Sequence, residues 1–375
     1  MAEQSLAAKQ ALPKLSSLDD RLRQQSQVIA QMVPLEQWRE IVAPLDSAWW
    51  WQLEKVHPWA KLDWLWKLLT VPILTLNFAL VVAISSRFLA GGPDAIGAFA
   101  VLGQSLVAMF AAGAPLTKSG QQIIERSLKA LRLPKYLWYE AKLAIAVIIF
   151  LALLGFQSSL PTISASYVRR GTAAQSAQQT TSAAAQYQRA IKLNPNNMEA
   201  HFRLGTVYED LLDIDQAREE YRIAMLGGCI EAYNNLARLY IVNDQDYVAA
   251  RTLLRQGQSQ LENRDSTEVT YCSQAAQDNL VALEYTFFTN LGWAHLRLDN
   301  LPDSESQLRE AIKLNEEGAA PHCLLAQVLE RQEEKDLRAA IPEWNKCFEY
   351  ARTLNPDEEQ WLDMAQQRLS QWESD

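Results

Sequence analysis

Two hydrophobic rhythms divide the chain. In the first, charge vanishes for whole stretches: Leu68–Ser86 runs 19 residues without a charged side chain, Ala95–Thr117 runs 23, and Leu143–Val168 is a third run whose apolar part ends near Phe156. A helix needs ~20 apolar residues to cross the ~30 Å hydrocarbon layer, so each run is long enough to span it. A buried helix of a soluble domain is the alternative for any one run, but three within so short a stretch favour a bilayer. Trp49, Trp50, Trp51, Trp59, Trp64 and Trp66 crowd the approach to the first run, and Trp138 and Tyr139 precede the third. Indole rings settle at the headgroup level, with the ring buried and the N–H wet. Gly91-Gly92-Pro93 supplies a tight turn between the first two runs. The pattern predicts an amphipathic, Trp-rich helical segment over 1–63 and three transmembrane helices over 64–163, with a basic loop at 117–136.

The second rhythm begins near residue 164 and is helical with a longer period. Ala183, Tyr187 and Ala190 recur 34 residues later as Ala217, Tyr221 and Ala224, and Gly171 recurs as Gly205. Leu291-Gly292 recurs as Leu325-Ala326 at the same interval, and Ala232–Tyr240 matches Ala200–Tyr208 at an offset of 32. Each period holds a helix with Leu-Gly or Leu-Ala, where a neighbour packs closely. A second helix follows with Ala-x-x-x-Tyr-x-x-Ala along one face. Asn194-Pro195 and Asn355-Pro356 stop second helices, because proline cannot continue the hydrogen-bond ladder. One such pair cannot bury its own apolar face, so consecutive pairs must stack into a solenoid.

These residues resemble tetratricopeptide repeats. Met198–Gly228 is the fullest copy, with His201, Leu204, Gly205, Tyr208, Ala217, Tyr221 and Ala224 in the signature slots. Further copies start near Ser164, Ile230, Tyr285 and Ala319, and Gln360–Trp372 resembles the helix that closes such arrays. The expected fold is all-α: a three-helix transmembrane region followed by an α-solenoid of about five repeats over 164–375. Residues 258–281 are extra to the pattern. There Ser266 is expected to cap a helix running from Thr267 to Leu283, as an extension of the next repeat.

Charge separates the same two halves. Residues 1–163 hold 15 Lys and Arg against 11 Asp and Glu, net +4, while residues 164–375 hold 20 against 33, net −13. The overall −9 excludes a nucleic-acid binder driven by bulk positive charge. Lys55, Lys61, Lys67 and the loop from Lys118 to Lys135 put most basic residues on one side of three spans, which predicts a cytoplasmic N-terminus and an extracytoplasmic repeat domain. With two spans instead, the repeats would be cytosolic. Ile124, Leu128 and Leu131 share a helical face opposite Arg126, Lys129 and Arg132, as in a helix lying on anionic lipid. A solvated helix that merely sets topology fits that loop equally well.

Candidate chemistry is sparse. His201, His295 and His322 fall in slots where the repeat carries an aromatic residue, so they are read as packing between helices. Cys229, Cys272, Cys323 and Cys347 lack zinc-like spacing; Cys323 and Cys347 lie on the paired helices of one repeat and are the only plausible disulfide pair, with buried thiols as the alternative. Acidic runs such as Glu219-Glu220 are typical of solvated helix faces. Nothing predicts catalysis, a metal or a cofactor. Members of the resembled family hold peptides on their first helices, which here implies Arg203, Asn234, Arg238, Asn290, Trp293 and Arg297 as groove residues. The family's carboxylate clamp is met only in part, by Asn234 and Asn235, because its lysines are missing. The expected function is a non-enzymatic, multi-pass membrane scaffold or adaptor that assembles protein partners. The alternative is a repeat-bearing component of a membrane transport or channel assembly, which the lone intramembrane Asn77 and Gln104 permit.

Overall fold

The computed structural model describes residues 14–42, 49–51, 62–89, 126, 128, 130, 133, 137–263, 271–332, 337–352 and 356–374. All regular structure among these residues is helical. The chain divides into two compact units, one from Met1–Ile84 and Leu102–Phe156 and the other from Ser85–Val101 and Gln157–Asp375.

In the first unit, helices α1 (Ser26–Met32) and α2 (Leu35–Val42) precede a turn of 3-10 helix at Trp49–Trp51. Arg39 Nε donates to the Trp51 carbonyl at 2.5 Å, which ties that turn to α2. Two long helices follow, α3 (Asp63–Leu89) and α4 (Trp138–Ser176), each running past the boundary into the second unit's residues. Asn77 Nδ2 donates to the Ala146 carbonyl at 3.0 Å and so ties α3 to α4, and Lys67 Nζ sits 4.6 Å from the Tyr139 ring centroid. Both helices are long and apolar enough to cross a membrane, yet only 17% of each apolar window is buried. A core helix of a soluble domain would be mostly covered; here Leu68, Val71, Ile148 and Leu151 point outward. The first and third apolar runs are therefore two long helices. The second run, Ala95–Thr117, lies outside the described residues, as do Gln104, Lys129 and Arg132. Among the described residues there are thus two candidate spans, and a three-helix region is not evident there. Arg126 is exposed and Leu128 buried.

At ~1.5 Å per residue, α4 reaches roughly 58 Å, about twice the hydrocarbon thickness. Its last turns supply the first helix of the repeat array, since Gly171 lies against the Tyr187 ring of α5 (Thr180–Leu193). The pairs that follow are α6 (Met198–Asp210) with α7 (Ile214–Leu226), then α8 (Ile230–Leu239) with α9 (Tyr247–Glu262). After the short α10 (Gln274–Asp278) come α11 (Leu280–Arg297) with α12 (Leu301–Leu314), α13 (Ala319–Arg331) with α14 (Leu337–Tyr350), and the closing α15 (Pro356–Ser374). First helices pack side by side, α8 on α11 and α11 on α13.

Close approach explains the repeated small residues. A Cβ on Gly171 would lie 2.5 Å from the Tyr187 ring, and one on Gly205 would lie 2.7 Å from Tyr221. The turns between paired helices share a backbone solution. Gln178, Leu212, Gln245 and Asp299 have φ of 61°, 60°, 56° and 58°. The amide after each residue reaches back to a carbonyl of the preceding helix: Gln179 to Ala174, Asp213 to Tyr208, Asp246 to Tyr240 and Asn300 to His295. At Gln178, Leu212 and Asp299 this is a Schellman stop, which usually places glycine at the left-handed residue, while the bond from Asp246 spans one residue more because it closes a π-helical turn. Asp213, Asp246 and Asn279 then cap the N-termini of α7, α9 and α11 with their side chains. The offset of 32 between α6 and α8 reflects the shortened Gly227-Gly228 turn, and a π-helical turn at Tyr240–Asp244 restores one residue before α9.

The extra segment departs from expectation. The first helix of its repeat begins at Leu280, not near Thr267, and Ser266 lies outside the described residues. Around residues 271–273 the chain turns back to α8. The buried Glu231 carboxylate accepts from the Cys272 amide at 2.9 Å and from the Ser273 amide and hydroxyl at 2.8 and 2.9 Å. Three donors on one carboxylate compete with continuation of a helix there.

Candidate functional site

The six residues expected to line a groove sit on α6, α8 and α11, and most already hold a neighbour. Asn290 Nδ2 donates to Asn234 Oδ1 at 2.9 Å, a buried amide pair joining α11 to α8. Arg203 Nε holds Glu199 at 2.8 Å, and Arg238 pairs with Glu209, which also accepts from the Tyr221 hydroxyl at 3.0 Å. Burial pushes the Tyr221 phenol up, so it stays a donor. Arg297 Nη2 donates to the Tyr247 hydroxyl at 2.8 Å, with its guanidinium 5.1 Å from that ring's centroid. Trp293 meets Trp361 of α15 edge-on, with centroids 5.1 Å apart. The structure thus joins Asn234 to Asn290 directly and turns the arginines toward side chains of this chain.

The histidines pack between helices in a more specific way than periodicity suggests. His201 Nδ1 meets Glu220 Oε2 at 2.6 Å, and its Nε2 meets the Pro195 carbonyl at 3.1 Å. His322 repeats the arrangement with Glu343 and with the Glu316 carbonyl at 2.9 Å. Each ring joins its own helix to the second helix of its pair and to the loop before it. Burial pushes the Glu343 carboxyl up, but the His322 hydrogen bond and charge, with Lys346 and Arg309, together hold it below its ordinary value. His295 differs: Asp303 lies 3.8 Å away, and its buried Nδ1 makes no hydrogen bond among the described residues. Burial lowers its pKa despite Asp303, and Arg255 and Arg251 lower it further.

All four cysteines are paired. Cys323–Cys347 joins α13 to α14, as the spacing allowed, and Cys229–Cys272 joins the start of α8 to the extra segment. The second bond corrects the expectation that Cys323–Cys347 is the only plausible pair: its partners are 43 residues apart, and Cys272 lies in an irregular segment that the helix-pair pattern does not place. Cys229, Glu231 and Cys272 are close enough to surround an ion, but both sulfurs are spent in the disulfide and Glu231 is occupied by its donors. No catalytic combination emerges among the described residues.

A cleft of about 710 Å³ opens on α9, lined by Tyr233, Arg251, Thr252, Arg255, Gln256 and Ser259. Sequence reasoning passed over these arginines because they lie on a second helix, away from the expected groove.

A TPR repeat family model matches residues 176–211, and a Tetratricopeptide repeat model matches 289–346. The chain carries tetratricopeptide repeats. Among solved structures it is similar to pilF of Pseudomonas aeruginosa at 16% identity, covering 58% of this chain and 93% of that one, with a TM-score of 0.40. It is similar to PilW, described as a type IV pilus biogenesis factor, at 17% identity over 56% of this chain and 86% of that one, TM-score 0.43. For YrrB, described as a TPR protein with an unusual peptide-binding site, the values are 17%, 54%, 90% and 0.37. Curated protein sequences give no match.

Proposed function

We propose that this chain is a membrane-anchored tetratricopeptide scaffold that holds a protein or peptide partner on its repeat unit and performs no reaction of its own. The observation that carries the reading is the stack of helix pairs matched by the repeat models at 176–211 and 289–346. Such repeats bind protein or peptide partners and are typically non-enzymatic. Arg203, Asn234, Arg238, Asn290, Trp293 and Arg297 are the contact residues, with Arg203 and Arg238 exchanging carboxylates of this chain, and Arg297 the Tyr247 hydroxyl, for groups of the partner. The apolar, uncovered faces of α3 and α4 support the anchor, because water-exposed apolar helices of that length are costly. Placement of the repeats outside the cytoplasm is supported by the pairing of every cysteine, since disulfides persist in oxidising compartments.

Photo-crosslinking from position 203 or 293 in native membranes tests the scaffold role. A discrete adduct is expected, weakened in a Trp293→Ala, Arg297→Ala chain; absence of any partner that depends on residues 164–375 removes the proposal. The side is tested by maleimide labelling of intact cells after treatment with a membrane-impermeant reductant. Labelling of the cysteines is expected, and protection until lysis would place the repeats inside.

A further inference from the structure

Two second helices of this array, α7 and α9, carry a pair of arginines in equivalent positions, and on α9 the carboxylate partners are missing among the described residues. The left-handed turn residues set the register: Leu212 before α7, Gln245 before α9 and Asp299 before α12. On that register Arg251 and Arg255 of α9 correspond to Arg218 and Arg222 of α7. Arg218 holds Asp215 at 3.0 Å and Asp244, in the next turn, at 2.7 Å; Arg222 holds Glu219 at 2.9 Å. On α12 the same two slots hold Glu305 and Arg309, which pair at 2.7 Å. On α9 the carboxylate positions are taken by Val248, Thr252 and, in the following turn, Leu298. Arg251 and Arg255 hold no carboxylate among the described residues, and they stack one helical turn apart as like charges, which disfavours an isolated helix.

Their surroundings add donors. Gln256, Ser259 and the Tyr233 hydroxyl line the same cleft, and no carboxylate lines it among the described residues. Within a half whose net charge is −13 this is an unneutralised basic site, and both guanidiniums weigh on the buried His295 beside burial itself. Guanidinium forks bind carboxylates bidentately, so the missing internal Asp and Glu define the group that fits.

We infer that the α9 cleft, through Arg251 and Arg255, binds an acidic segment of a partner protein, whose carboxylates take the places that Asp215, Glu219 and Asp244 fill around α7. The inference rests on the protein-partner reading above, but assigns the contact to a second helix and not to the expected groove.

The test measures fluorescence anisotropy of a labelled ten-glutamate peptide with the full-length chain in detergent. Arg251→Gln with Arg255→Gln is expected to weaken binding about tenfold or more, and Arg222→Gln to leave it within about twofold. Val248→Asp with Thr252→Glu keeps both arginines and restores the internal partners; it is expected to weaken binding to a similar extent. Equal binding by wild type and both double variants overturns the inference, as does an equal loss in Arg222→Gln, which would mark bulk charge. Tighter binding of a phosphoserine peptide at the same arginines would assign the cleft to phosphate and overturn the acidic-segment source. A peptide bound at α9 without any crosslinked partner in membranes would sink the scaffold reading alone. Loss of peptide binding with intact crosslinks would sink this inference alone.

Discussion

Single residues govern how closely the helices approach. Gly205 faces Tyr221 with no room for a methyl group. Gly205→Ala is expected to cost about 1–3 kcal/mol, seen as a lower thermal midpoint, because the Tyr221 ring is buried and cannot retreat freely. Leu212 presents the opposite case. It has φ of 60° and is 84% exposed, so its side chain contributes little packing where the backbone disfavours it. Leu212→Gly is expected to raise stability by roughly 0.5–1 kcal/mol in the same measurement; a lowered midpoint would show that the leucine packs after all. His295 makes stability depend on pH. Its folded pKa lies below 6.5, so the unfolded chain takes up the proton more readily. The stabilising contribution is complete above pH 6.5 and is lost as pH falls through the folded value. Denaturant unfolding between pH 7 and 5 is expected to show a slope that His295→Gln lessens. The glycine positions were legible from the 34-residue period. The turn positions were not, because Gln, Leu, Gln and Asp share no chemistry and only the backbone reveals their equivalence.

Helices and their links show where sequence patterns stop being sufficient. Periodicity makes the helical repeats legible, since a second helix must present its small and aromatic residues together. The extra segment obeys no period, and its course is set by long-range contacts: Glu231 collecting donors and Cys272 bonding Cys229. Cys323–Cys347 closes a shorter loop across one helix pair. Replacing both residues with serine is expected to destabilise the repeat unit by about 2–4 kcal/mol, read from chemical unfolding under non-reducing conditions. Between α3 and α4 the link is the Asn77 amide on the Ala146 carbonyl. If these helices lie in lipid, Asn77→Leu is expected to weaken their association by about 0.6–2 kcal/mol, measured as detergent-resistant crosslinking of α3 to α4. The six residues expected to line a groove follow from their repeat slots alone; their internal partners, such as Glu209 for Arg238, depend on which neighbouring turn each side chain reaches.

At the scale of the molecule, charge and hydropathy divide the chain near where the two compact units divide. The overall −9 suggests an ordinary acidic protein, yet it averages a +4 stretch rich in apolar helix and a −13 array. A chain so divided is expected to stay with the membrane fraction after alkaline carbonate extraction; full release would remove the anchor from the proposal. The repeated turn has a wider consequence. Four unrelated side chains occupy a left-handed backbone conformation at φ between 56° and 61°. The step from one helix to the next is therefore cut by a backbone gauge that tolerates sequence drift. An array built on such a gauge lengthens by whole links: an in-frame copy of residues 179–212 placed after Leu212 would begin and end on the same turn. A surface such as the α9 cleft is then free to differ from link to link while the spacing of the chain of links stays constant.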